Sequence, residues 1–325
     1  MRSFRTTFTP YSHALALANG DVGLAGGRLE FIPTEPIISA YRQMVRELAF
    51  DIAELAPTTY LMARAAGIPI IAIPVFTKRQ FHHGHIRCHP LSGIRIPQDL
   101  AGRKVGVRAY SVTTGVWVRG LLSDDFGVKP DAIQWITDDE EHVPGYVAPP
   151  NVAAAPRGAS LVGLLGAGQI DAALTGNAGI GRTGAPREGW RGGGATAEPA
   201  DEPPYSLFGT PEPLEADWYR RTGIYPIHAV ITLREDVVRA DPDLPSNLYR
   251  AFRAAKQLGS GDRSVLVKEL AAGSAIPADE DPIPYGIEPN TRSLEALVRY
   301  AAEQQLLTGA PEIESMFAPG DYPPA

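Results

Sequence analysis

Residues 93–127, GIRIPQDLAGRKVGVRAYSVTTGVWVRGLLSDDFG, constrain the fold more than any other stretch of the chain. They present a turn, a short buried strand (Lys104-Val105-Gly106-Val107), a small-residue loop, and a helix opened by Ser111-Val112-Thr113-Thr114. A strand running straight into such a helix leaves backbone N–H groups unpaired and pointing outward. Those amides and the helix dipole make a ready site for a carboxylate or phosphate. The plain alternative is that Ser111 or Thr113 simply caps the helix.

The same alternation recurs along the chain. Leu29–Pro33 reads as a strand, and a helix around 38–48 carries Ile38, Tyr41, Val45 and Leu48 on one face. Residues 50–55 are strand-like, Pro57 opens a second helix ending at Gly67, and the apolar run 68–76 suits a buried parallel strand. A second unit adds strands at 133–136 and 171–175 and a helix around 160–165. A strand at 225–233 follows, then helices at about 235–240, 245–259 and 291–304. Strands and helices at this spacing predict an α/β fold with helices on both sheet faces. Residues 187–204, rich in Gly, Pro and acid, read as a surface loop.

At 325 residues the chain is natural for two domains. With 44% hydrophobic and 21% charged residues it has an ordinary globular composition. Its net charge of −7 argues against a nucleic-acid or anionic-membrane surface, so a bound anion must be held by local groups. Cys88 is the single cysteine, which excludes an internal disulfide. With no secretory-type leader and no apolar run of membrane-spanning length, the expected location is cytoplasmic. Nothing matches GxGxxG, a Walker loop, HExxH or paired CxxC.

Several ordered blocks resemble the 4,5-dihydroxyphthalate decarboxylase family, a branch of the type 2 periplasmic-binding-protein fold. They are FDIAEL (50–55), IPVFTKRQF (73–81), GIRIPQDLAGRKVGV (93–107), TTGVWVRG (113–120), YRRTGIYPI (219–227), NLYRAF (247–252), DPIPYGIEPN (281–290) and LEALVRYAAEQ (294–304). The resemblance implies two lobes with the ligand in the cleft between them: residues 1–86 plus 226–325, and residues 87–225. It implies loss of CO2 from a hydroxylated aromatic carboxylate without an organic cofactor. Two departures fall in the expected cleft. His228-Ala229 stands where the family carries a Met-His pair, and Phe81-His82-His83-Gly84 replaces an aromatic-Arg-His-Ser stretch.

The stretch 81–89 holds four histidines within eight residues. If extended, it puts His83, His85, Arg87 and His89 on one face. His83, then His85, is the expected acid delivering a proton to the ring carbon that loses CO2. Glu35 is placed to orient a histidine or accept a hydroxyl proton, or else to cap the following helix. His83 and His85 can also begin a divalent-metal site with a third ligand such as Glu35 or His228, although a polar strand of hydrogen-bonded histidines is favoured. Arg79, just past a buried strand, suits bidentate grip of one carboxylate. Ser111, Thr113 and Thr114 would hold the other. Trp117 and Tyr225 are candidates for stacking on the ring, and Thr175 and Asn177 for hydrogen bonds to ligand oxygens. The expected partner is a small aromatic carboxylate, and Ala-rich C-terminal helices can support a homodimer. A non-catalytic solute-binding protein for a carboxylate is the second reading of the same fold.

Overall fold

The computed structural model describes residues 2–181, 202–259, 263–270 and 275–323. Most of the loop expected at 187–204 therefore lies outside the described residues. Strands β1 (Arg2–Thr7), β2 (Gly27–Phe31), β3 (Ile52–Leu55), β4 (Ile70–Ala72) and β5 (Lys78–Arg79) open a first sheet. The chain then crosses to a second sheet made of β6 (Ile86–Cys88), β7 (Lys104–Val107), β8 (Gln134–Thr137), β9 (Val152–Ala154), β10 (Ala172–Leu174) and β11 (Tyr205–Ser206). It returns through β12 (Ile227–Arg234) to the middle of the first.

The first sheet runs β2-β1-β3-β12-β4, with β5 also paired to β12, and the second runs β11-β6-β10-β7-β8-β9. Neighbours within each sequential unit are parallel. The strands at the two crossings, β6 and β12, are antiparallel to theirs. Two mixed sheets joined by two crossings are the two-lobed type 2 periplasmic-binding-protein-like arrangement that the resemblance implies.

Local chemistry explains the elements that frame the cleft. The helix Ile38–Glu47 buries Ala40, Tyr41, Met44 and Val45 on one face. It stops at Leu48, whose left-handed backbone (φ 51°) returns its N–H to Gln43 and Met44. Pro57 starts the helix Pro57–Ala65, where a missing N–H costs nothing. The helix Thr113–Phe126 is buried from Thr113 through Ser123 and ends at Gly127, whose φ of 67° a side chain would strain. The C-terminal helix Thr291–Glu303 lies on it so closely that Tyr300 covers Gly120 where a Cβ would be 2.3 Å from the ring.

The stretch 81–89 departs from the sequence expectation. Residues 83–85 form a 3-10 turn, and only 86–88 are extended. The turn rotates successive histidines to different sides, so His83 and His85 do not share a face. Among the described residues no helix is long and apolar enough to cross a membrane.

Candidate functional site

A cavity of about 320 Å³ lies between the lobes. The first lobe lines it with Tyr11, Tyr41, Glu54, Thr59, Lys78, Gln80 and His228. The turn before the crossing adds His85, and the second lobe adds Arg108, Thr113, Thr114, His142, Thr175 and Asn177.

On the floor sits Glu54, at the end of β3 and 1% exposed. Its carboxylate accepts hydrogen bonds from the Thr9 amide (3.2 Å), the Thr9 hydroxyl (3.2 Å), the Tyr41 hydroxyl (3.0 Å) and the Thr77 hydroxyl (2.7 Å). Burial pushes its carboxyl above the usual range, and these four donors work against that shift. Strand β5 pairs antiparallel with β12. Alternation along it sends Lys78 and Gln80 to the cavity and Arg79 into the core. Burial lowers the Lys78 ammonium pKa, and the negative charge of Glu54 opposes that.

Beside Lys78 stand three histidines. The His82 ring is 5.1 Å from that of His85 and 5.5 Å from that of His228, centroid to centroid. Neither His82 nitrogen, nor Nδ1 of His85 or His228, has a hydrogen-bond partner among the described residues. Burial, followed by the charge of Lys78, depresses His85 to about 4 and His228 well below its ordinary value. Both imidazoles are therefore neutral at pH 7 and carry no acidic proton to donate, and the same shift makes them weaker bases than a free histidine while Lys78 stays charged.

The opposite wall is built for an anion. Arg108 follows β7 directly, with Nη2 3.4 Å from His142 Nε2 and Nη1 3.8 Å from Asp139. Thr59 Oγ1 reaches His142 Nδ1 at 3.1 Å, so that imidazole bridges the lobes. The helix beginning at Thr113 has no side-chain cap. Ser111 Oγ donates instead to Glu141, and Thr113 Oγ1 shares a hydrogen bond with Thr58 Oγ1 at 2.7 Å. Its first amides are left for a ligand, beside the guanidinium. Two arginines of the helix Ile38–Glu47 clasp this wall: Arg42 pairs with Asp139 at 2.9 Å and Arg46 with Glu140 at 3.0 Å.

Of the residues singled out from sequence, His85, Thr113, Thr114, Thr175, Asn177 and His228 meet around the cavity. The others lie elsewhere. His83 packs its ring 5.6 Å from Trp218 and 6.0 Å from Phe208. Glu35 is exposed at a cis peptide before Pro36 and does not cap the helix. Arg79, 2% exposed, donates Nη1 to the Tyr225 carbonyl at 2.8 Å and lies over the Phe76 and Tyr225 rings, because strand parity turns it inward. Trp117 is core, its indole N–H bonded to the Ile227 carbonyl at 2.9 Å. Tyr225 stacks on Phe81 at 4.8 Å, and its hydroxyl donates to the Leu270 carbonyl at 3.2 Å. Among the described residues no three His, Cys, Asp or Glu side chains converge as metal ligands.

Glu54, Lys78, Arg108 and His142 escaped the sequence reading. One signal pointed to two of them: Glu54 and Arg108 sit at the carboxyl ends of buried parallel strands, where such sheets place their ligands.

The chain is 31% identical to the 4,5-dihydroxyphthalate decarboxylase of Comamonas testosteroni over 260 residues, 76% of this chain and 72% of that one. It is 34% identical to the protein of the same name from Pseudomonas putida over 170 residues, 50% of this chain and 66% of that one. Residues 32–162 match a family described as NMT1/THI5 like. Among solved structures, the periplasmic aliphatic sulphonate binding protein SsuA of Escherichia coli aligns over 98% of both chains with a TM-score of 0.53 at 14% identity, a likeness of fold alone.

Proposed function

This chain belongs to the 4,5-dihydroxyphthalate decarboxylase family, and from that premise we propose that it removes CO2 from 4,5-dihydroxyphthalate or a closely related hydroxyphthalate in the cleft between its lobes. The observation that carries the reading is the cavity's charge. A chain of net charge −7 gathers Lys78, Arg108 and an uncapped helix start around one slot, with Glu54 as the single acidic group lining it among the described residues. That slot suits an anion, and its volume is near the lower end of ligand pockets, about 300–1,000 Å³, where a single ring fits.

In this reading the carboxylate that stays is held by Arg108 and the amides near Thr113 and Thr114. A bidentate guanidinium contact fixes its plane. Each carboxylate of the substrate is para to one ring hydroxyl. Loss of that hydroxyl proton to neutral His85 sends electron density to the carbon bearing the departing carboxylate. That carbon takes a proton, the C–CO2 bond breaks, and its electron pair restores the aromatic ring. The ring itself is the electron sink, so the chemistry needs no organic cofactor. Closure of the lobes strips water from the leaving carboxylate and strengthens each contact within the slot.

The test is incubation of the purified full chain with 4,5-dihydroxyphthalate, following CO2 and 3,4-dihydroxybenzoate. Stoichiometric appearance of both supports the proposal. Tight binding with the ligand recovered intact overturns it in favour of a solute-binding role.

A further inference from the structure

We propose that Lys78 is the acid that protonates the ring carbon losing CO2; the assignment rests on the decarboxylase reading above. Lys78 projects from β5 into the cavity, half-buried, while its neighbour Arg79 is buried on the other face. Its ammonium has no hydrogen bond or ion pair with the described residues, so its three N–H bonds are free for a ligand. The titratable groups facing it are Glu54 from β3, Tyr41 from the helix Ile38–Glu47, His82 and His85 at the turn, His228 from β12 and Tyr11, with Arg108 and His142 across the slot.

Each of these is unsuited to deliver the proton. The oxygens of Glu54 are occupied by four donors, so a proton there would displace one of them. His82, His85, His142 and His228 are held neutral by burial and neighbouring positive charge. A guanidinium does not give up its proton near neutral pH. Burial and Glu54 make the Tyr11 and Tyr41 hydroxyls weaker acids than usual. Among the described residues lining the slot, Lys78 is left as the group whose labile proton has no protein acceptor. Burial makes that proton easier to lose than in water, and the negative charge of Glu54 opposes that loss.

The step balances. His85 takes the phenolic proton as an N–H bond of Lys78 breaks and a C–H bond forms at the carbon para to the new phenolate, so the cation that depresses the imidazole is discharged in the same step. This leaves a neutral amine and a cyclohexadienone carboxylate. CO2 departs, its bonding pair rebuilds the ring, and the carbonyl becomes a phenolate that recovers its proton from His85. Solvent reprotonates the amine, so one carboxylate and one proton become a C–H bond and CO2.

The experiment compares the full-length wild type with Lys78→Arg and Lys78→Cys on 4,5-dihydroxyphthalate. Arginine keeps the charge and loses the labile proton. We expect kcat to fall by about 10²–10⁴ with KM little changed. Alkylating the Lys78→Cys protein with bromoethylamine restores an amine on a thioether stem, while native Cys88 is buried. Activity should return with its alkaline limb at lower pH, because that amine is less basic than lysine. Wild-type kcat in Lys78→Arg, or an alkaline limb unmoved in the alkylated protein, overturns the assignment. A wild type that releases no CO2 refutes the decarboxylase reading instead.

Discussion

Replacing Arg108 by Gln isolates the anion wall from the chemistry. The side chain keeps its length and a hydrogen-bonding end but loses the charge and the fork. A hydrogen bond to a charged group is worth about 1.5–3 kcal/mol, which is roughly 10- to 150-fold in affinity at 1.4 kcal/mol per decade. The substitution leaves buried Asp139 with its 2.9 Å contact to Arg42, so the fold should survive it. Competitive inhibition measures the effect without turnover. The Ki of 3,4-dihydroxybenzoate, which has the retained carboxylate, should rise by that factor. The Ki of catechol, which lacks it, should stay where it is. Equal weakening of both ligands, or neither, would show that Arg108 does not hold the carboxylate.

Four further outcomes follow from the geometry. His85→Gln should lower kcat by about 10²–10⁴, while His83→Gln, outside the cavity, should keep kcat near wild type; initial rates of product formation decide. His13, His83 and His85 are each depressed from 6.5 to about 4, so the unfolded chain binds more protons than the folded one below pH 6.5. Stability from these groups is complete above pH 6.5 and is lost as pH falls toward 4, which urea midpoints across that range would register. Gly120→Ala drives a Cβ into the Tyr300 ring and should cost about 1–3 kcal/mol, read as a lower Tm. Arg42→Met removes the 2.9 Å partner of Asp139, whose side chain is 2% exposed, and should loosen the lobes; a larger radius of gyration by small-angle scattering, reversed by 3,4-dihydroxybenzoate, checks it.

Fold and site differ in how far they can be read from residues alone. The turn–strand–helix unit at 93–127 is legible because its signals are local: β7 is a short strand buried from Val105 to Val107, and the helix runs to a glycine with left-handed backbone. The C-terminal helix is legible from its apolar period, which the structure buries at Leu294, Leu297, Val298 and Ala301. The site depends on parity and on pairing at long range. Lys78 and Arg79 are adjacent cations, and only the antiparallel match of β5 to β12 decides which one faces the ligand. A single turn at 83–85 separates His83 from His85, which an extended strand would place on one face. Glu54 looks like a polar residue in a strand until Thr9, Tyr41 and Thr77 are folded around it. Arg108 and His142 are 34 positions apart, and their contact exists only once β7 and the loop after β8 share a sheet.

A cleft that merely binds an anion needs cations and amides; one that removes CO2 from a phenolic acid also needs a vacant base and a loaded acid a few ångströms apart. Free in water, imidazole and ammonium hold their protons over overlapping ranges, with histidine half-protonated near pH 6.5. Here burial and the charge of Lys78 strip His85 down to about 4, while Glu54 supports the proton on Lys78. Burial and Lys78 thus leave His85 without a proton at neutral pH, and the buried carboxylate of Glu54 opposes the loss of the proton from Lys78. Glu54→Gln, which keeps the shape and removes the charge, should consequently bring the alkaline limb of kcat to lower pH without disturbing the acid limb set by His85. Movement of both limbs together would mean that Glu54 acts on the site as a whole rather than on Lys78.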